Sequence, residues 1–201
     1  MAKAEVSSLD GYEVLLCLTG GIACYKAADL ASKLVQSGAG VSVAVTEAAK
    51  HFIGPMTFLS LTGRQVYSSM WQASERHDPQ HLSLTEQADL MIVAPATANI
   101  LAKMAAGLAD DLVSALALSA NGACDILLAP AMNTRMWQAP PTQANLRTLM
   151  GWGVHVIGPN EGRLACRTVG PGRMAEPTEI LAQAAKLLKR KPPKGRAASE
   201  R

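Results

Sequence analysis

Short apolar runs alternate with helix-patterned segments along most of this chain, and that alternation leaves few folds open. The runs EVLLCLTGG, GVSVAVT, ADLMIVAPAT, CDILLAP and GVHVIGP are separated by IACYKAADLASKLVQSG, EAAKHF and ANILAKMAAGLADDLVSALALSA. Strands that read as unbroken Val, Ile and Leu have both faces covered, the pattern of a parallel sheet with helical crossovers. The chain is therefore read as α/β, a doubly wound parallel sheet in three layers. Gly38 closes the first helix, and Pro95, Pro130 and Pro159 each end an apolar run.

In open sheets of this kind the ligand crevice lies beyond the carboxyl ends of the strands. Those ends read Thr19-Gly20-Gly21, Thr46, Pro95-Ala96-Thr97, Pro130-Ala131-Met132-Asn133 and Gly158-Pro159-Asn160. The glycine pair stands between a strand and a helix, where bare N–H groups favour an anion; a tight turn needed only for packing explains it equally well. It lacks the full G-x-G-x-x-G spacing, and Thr46 replaces an acidic residue at the next strand end, so a dinucleotide is disfavoured. Thr46 and Thr97 can each cap a helix or donate to a phosphate.

At 201 residues with 49% hydrophobic and 17% charged content, the chain suits one well-filled domain. The net charge of +3 misleads, because residues 186–201 carry seven Lys/Arg against one acidic residue. The remaining body is acidic, which argues against nucleic-acid binding, and residues 186–201 read as a basic, disordered tail. No apolar stretch is long enough to span a membrane, the first 13 residues lack a signal core, and a cytoplasmic location is expected. The four cysteines, Cys17, Cys24, Cys124 and Cys166, show neither metal-ligand nor disulfide spacing, so no metal is expected.

In HDPQHLSLTEQADL, Ser83 and Glu86 have capping-box spacing. His81 is then expected in the loop just before a helix, where an imidazole can exchange protons; His77 is the weaker candidate. CDILLAPAMNTRMW places Met132, Asn133, Met136 and Trp137 directly beyond a strand in a chain with only 4% aromatics.

ERHDPQHLSL, APATANILAKMAAGLADDL, PAMNTRMW and GRLACRTVGPGRMAEP together resemble the flavin-dependent cysteine decarboxylases. The resemblance runs from about Val14 to Ile180, and PAMNTRMW fits the pattern P-x-M-N-x-x-M-W at every fixed position. It implies a flavodoxin-like or Rossmann-like domain over residues 1–185 that holds FMN at a subunit interface, in trimers or trimer-based dodecamers. By resemblance Gly20, Gly21, Thr46, the segment Pro95, Ala96, Thr97 and Asn99, and Met132 surround the flavin, with Asp111 and Ser114 as additions. His81 corresponds to an active-site histidine, Asn133 to the asparagine that holds the substrate carboxylate, and Met136 to a further substrate position. Cys166 corresponds to the cysteine of a substrate clamp that includes Ala165, Gly170, Arg173 and Met174.

The implied reaction explains these residue types. An N-acylated cysteine loses CO₂ only after its Cβ–SH is oxidised to a thioaldehyde, which needs a two-electron acceptor that no side chain provides. His81 then manages the proton of the oxidation, Asn133 orients the carboxylate, and Cys166 supplies the proton for re-reduction of the ene-thiol. One position departs from the family: Arg167 stands after Cys166 in place of the usual glycine, and either touches a substrate phosphate or restricts the clamp. The clamp favours a small phosphorylated substrate over a Cys-terminal peptide, and a non-catalytic regulatory subunit is the remaining alternative. Too few residues follow Ile180 for the ligase domain of many bacterial relatives, so a monofunctional enzyme is expected.

Overall fold

The structure, a computed structural model, describes residues 8–71, 80–165 and 167–195, with the backbone alone at 80 and 81. The first half runs β1 (Glu13–Leu18), α1 (Cys24–Gln36), β2 (Gly40–Val45), α2 (Glu47–Lys50), α3 (Pro55–Thr62), β3 (Val66–Tyr67), α4 (Gln80–Gln87) and β4 (Leu90–Ala96). The second half runs α5 (Ala98–Ala106), α6 (Leu112–Ala120), β5 (Asp125–Pro130), α7 (Thr134–Gln138), α8 (Pro140–Gly151), β6 (His155–Val156), β7 (Asn160–Arg163), β8 (Val169–Arg173) and α9 (Pro177–Leu188).

Six strands form one sheet in the order β3-β2-β1-β4-β5-β6, and every adjacent pair is parallel. Successive residues of a strand face opposite sides, so β1 and β4 feed two separate cores. Val14, Leu16, Leu18, Leu90 and Ile92 pack with Leu30 and Leu34 of α1 and Ile180 and Leu187 of α9. Leu15, Cys17, Met91 and Val93 pack with Ile100 and Leu101 of α5, Leu116 of α6 and Leu149 of α8. Each fully enclosed leucine contributes about 2–3 kcal/mol, which is why both faces need a helical layer. The fold is the three-layer α/β arrangement expected from the apolar runs.

Several local expectations are corrected. The helical pattern over 98–120 is two helices, because Gly107 takes a left-handed turn (φ 69°) and Asp111 caps α6 with Ser114 in a capping box. Pro95 lies inside β4; it falls in the irregular register between Val93 and Ala96, where no ladder N–H is required of it. Helix α4 begins at Gln80, so Ser83 is not its cap and His81 lies within the helix. The earlier start lets Leu84, Thr85 and Ala88 turn into the core.

The basic segment after α9 is also held against the body as far as Gly195, where the sequence suggests a disordered tail. Pro193 is buried, and the Tyr12 hydroxyl donates to Lys191 O at 2.9 Å. The Lys194 ammonium donates to Glu86 O at 2.9 Å, Ala88 O at 2.6 Å and Ala123 O at 2.9 Å, while its backbone N–H donates to Asp89 Oδ1 at 2.9 Å. One cation thus joins the carboxyl end of α4, where the helix dipole favours it, to the turn before β5. Lys194→Met is expected to lower the unfolding free energy by about 2–3 kcal/mol in chemical denaturation, because it removes one charged donor shared by three carbonyls, that of buried Ala88 among them. Lys189→Ala, on the exposed side of the same segment, should stay within about 0.5 kcal/mol of wild type.

Candidate functional site

The strand order reverses between β1 and β4, and a single cleft of about 1240 Å³ opens beyond their carboxyl ends. Thr19, which follows β1, is 3% exposed and fastens the two ends together. Its hydroxyl donates to Pro95 O at 2.6 Å and accepts the Thr97 N–H at 3.2 Å. Gly20 must be glycine, since a Cβ there would lie 2.5 Å from the Ala48 Cβ. The N-terminus of α1 has no side-chain cap and faces the cleft with its backbone donors uncommitted to any side chain. Thr46 caps α2 through Ala49 N at 3.2 Å, and Thr97 caps α5 through Ile100 N at 3.4 Å.

The opposite wall comes from the turn after β5. Asn133 is the N-cap of α7, and its Oδ1 accepts the Arg135 N–H at 2.8 Å. Its side chain lines the cleft beside Met132 and Met136. The antiparallel hairpin β7–β8 docks on this turn: the Met132 N–H donates to Gly172 O at 2.9 Å. Gly172 has φ 141°, and a Cβ there would sit 2.2 Å from Met132 O. Gly170 is close-packed too, with its Cβ position 2.8 Å from Thr134 Oγ1.

The charged groups of the cleft are largely neutralised by one another. Lys26 of α1, only 7% exposed, donates to Met174 O and to Glu176 Oε1, both at 3.0 Å. Arg173 shares the same carboxylate. Arg173 first, and Lys26 second, hold the Glu176 carboxyl below the usual carboxylate range. Lys103 lies 2.6 Å from both Asp110 and Asp111. Burial disfavours its ammonium, but the two carboxylates outweigh this and hold its pKa above the ordinary lysine value.

Gly20, Gly21, Thr46, Thr97, Asn99, Asp111, Met132, Asn133, Met136, Ala165, Arg173 and Met174 all line this cleft. Four other sequence-predicted positions do not. Ala96 is fully enclosed in the second core, and Pro95 contributes its carbonyl to Thr19 rather than a surface to the cleft. Ser114 is buried and accepts the Asp111 N–H at 3.1 Å, so it shapes Asp111 from behind. Gly170 serves the hairpin's contact with Thr134. His77, Cys166 and the side chain of His81 lie outside the described residues.

Sequence reasoning placed Thr19 at a strand end without giving it a role, and missed Lys26, Lys103 and Arg163. A lysine on the apolar stripe of α1, between Cys24 and Leu30, was the available signal for Lys26. Of the described cysteines, Cys17, Cys24 and Cys124 are directed into the protein body; burial pushes all three thiols up, Cys124 to about 11. None is poised for proton transfer near neutral pH.

The cleft exceeds the roughly 300–1,000 Å³ of a single-ligand pocket and so has room for two molecules. Its strand-end side offers glycine backbone, threonine hydroxyls and a helix N-terminus to an anionic arm. Its apolar wall, from Ile22, Ile100, Met132 and Met136, suits a flat ring.

The comparisons with known proteins agree with this geometry. The bifunctional coenzyme A biosynthesis protein CoaBC of Vibrio cholerae is 44% identical over 177 residues, which cover 88% of this chain and 44% of that protein. That of Bacillus subtilis is 44% identical over 178 residues, covering 89% of this chain and 43% of the relative. The chain therefore spans less than half the length of these relatives. Among solved structures, a cysteine-to-serine variant of PPC decarboxylase complexed with pantothenoylaminoethenethiol superposes with a TM-score of 0.80 at 30% identity, covering 89% of this chain and 98% of that one. The FMN binding protein AtHal3 gives 0.78 at 30% identity, covering 90% and 99%. The Flavoprotein family model matches residues 2–189, and with these relatives it establishes that the chain belongs to the Flavoprotein family.

Proposed function

We propose that this chain is an FMN-dependent decarboxylase that converts 4′-phosphopantothenoylcysteine to 4′-phosphopantetheine for coenzyme A biosynthesis. The observation that carries this reading is the convergence of the strand-end cradle, the Asn133 turn and the β7–β8 hairpin on one cleft large enough for a flavin and a substrate. FMN, when bound, supplies the two-electron acceptor that oxidation of the substrate Cβ–SH to a thioaldehyde requires, after which the carboxylate stands β to a C=S bond and can leave. Gly20, Gly21 and the N-terminus of α1 would hold its phosphate, with Thr46, Thr97 and Asn99 alongside.

The chain's own groups then position and exchange protons. Asn133 holds the substrate carboxylate, with its amide plane set by the Arg135 N–H. His81 takes the proton released in the oxidation, and Cys166 returns one when the ene-thiolate is reduced. Met132 and Met136 supply the adaptable apolar surface between ring and substrate. The enzyme is read as a cytoplasmic homotrimer or trimer-based dodecamer; Ile22 and Tyr25, 60% and 64% exposed on the outer lip, fit coverage by a neighbouring protomer.

Anaerobic incubation of the flavin-loaded protein with 4′-phosphopantothenoylcysteine should release CO₂. Turnover of a Cys-terminal peptide instead, or a protein that never takes up FMN, would overturn the reading. Asn133→Ala is expected to lower turnover by about 10²-fold or more while FMN absorbance is retained, because a misplaced carboxylate loses alignment and not cofactor. Near wild-type turnover would remove Asn133 from that role. Cys166→Ser replaces a thiol of pKa about 8.5 with a far weaker acid. It should release CO₂, leave the flavin reduced, and yield a product lighter than 4′-phosphopantetheine by two hydrogens, seen by mass spectrometry.

A further inference from the structure

Five cationic side chains line the cleft: Lys26, Lys103, Arg163, Arg167 and Arg173. Lys26 and Arg173 share Glu176, and Lys103 is held between Asp110 and Asp111. Arg163 and Arg167 alone among them have no carboxylate partner among the described residues. They flank one tight turn, closed by the Leu164 N–H donating to Thr168 O at 2.8 Å and the Arg167 N–H donating to Leu164 O at 2.9 Å.

Arg167 is also the only non-glycine residue with positive φ among the described residues, at 66°. Glycine takes that conformation without strain, whereas an arginine side chain rarely does. The turn thus holds a non-glycine residue in the left-handed region and presents to the cleft two guanidinium groups, an arrangement without a counter-charge among the described residues. A ligand with two negative charges would reconcile it, because guanidinium forks match phosphate oxygens.

We propose that Arg163 and Arg167 form the subsite for the phosphate monoester dianion of the substrate, and so select phosphorylated over unphosphorylated substrates. The proposal rests on the decarboxylase reading above. The hairpin supplies the reach: Gly172 touches Met132 beside Asn133, and five residues of extended chain from there to Arg167 span up to about 16 Å. A substrate carboxylate at Asn133 and a phosphate at the hairpin turn are thus opposite ends of one extended molecule. The flavin phosphate has its own cradle at Gly20, Gly21 and α1, on the strand-end side.

The test measures binding of 4′-phosphopantetheine and pantetheine to the flavin-loaded protein by calorimetry. Wild type should prefer the phosphorylated compound by about tenfold or more, Arg163→Gln and Arg167→Gly should each lower that ratio several-fold, and the Arg163→Gln/Arg167→Gln double variant should bring it within about twofold. Arg167→Gly should keep or raise the melting temperature, since it relieves the positive φ; loss of preference without loss of stability is an outcome that a purely structural arginine does not produce. A preference unchanged in the double variant, or absent in wild type, overturns the proposal. Titration of the apoprotein with FMN and riboflavin separates the two sources of phosphate: the FMN to riboflavin affinity ratio should be unchanged, and its collapse would assign the pair to the cofactor and overturn the proposal. Turnover of 4′-phosphopantothenoylcysteine by wild type reports the decarboxylase reading independently. Phosphate preference without turnover sinks that reading alone, and turnover without phosphate preference sinks the subsite alone.

Discussion

The buried Thr19 hydroxyl ties the ends of β1 and β4 together at the point where the sheet reverses its strand order. A sheet covered on both faces can present its backbone to a ligand only along the edge where the strands end, so the alignment of those ends sets the floor of the cleft. Thr19 holds Pro95 and Thr97 level with the Gly20–Gly21 turn, and Thr97 in turn caps α5. The Cys24 thiol, donating to Thr19 O at 3.3 Å, anchors the first residue of α1 to the same point. Two helix N-termini and a glycine turn are thereby aimed into one space by the hydroxyl of a residue that is itself almost wholly buried.

The second wall depends on contacts made without side chains. Gly172 and Gly170 let β8 lie directly on the turn that carries Met132, Asn133 and Thr134, where a methyl group at either position would collide. Lys26 and Glu176 then join α1 to the start of α9 behind the hairpin. Lys26 is nearly enclosed, and its pairing is what makes that burial tolerable, since an unpaired ammonium there would carry the full desolvation penalty. The hairpin is therefore fixed at its base, and its turn, with Arg163 and Arg167, extends along the cleft.

Much of this was legible in the order of residues. Parallel strands buried on both faces announce themselves as Val, Ile and Leu runs, and their ends are marked by Thr, Gly and Pro because those residues turn or cap the chain locally. PAMNTRMW was conspicuous because a methionine-rich, asparagine-bearing turn beyond a strand has no role in a plain surface loop. The misread elements failed for local reasons too. Gly107 and Asp111 split one apolar pattern into two helices, and Leu84 with Ala88 drew the start of α4 upstream of the serine that seemed to cap it.

The sequence by itself determined the layering, the strand ends and the motif that faces the substrate, because period, turn chemistry and capping act over a few residues. Only the tertiary structure decided how charge is distributed in the cleft, because ion pairing joins residues far apart in the chain. Lys26 meets the Glu176 carboxylate across 150 positions. No window of sequence around Lys26 shows the carboxylate that it meets. Arg173 has its carboxylate three residues on, at Glu176, whereas Arg167 in the same glycine-rich segment faces the cleft without a carboxylate partner among the described residues; only the fold brings Lys26 of α1 to that same Glu176.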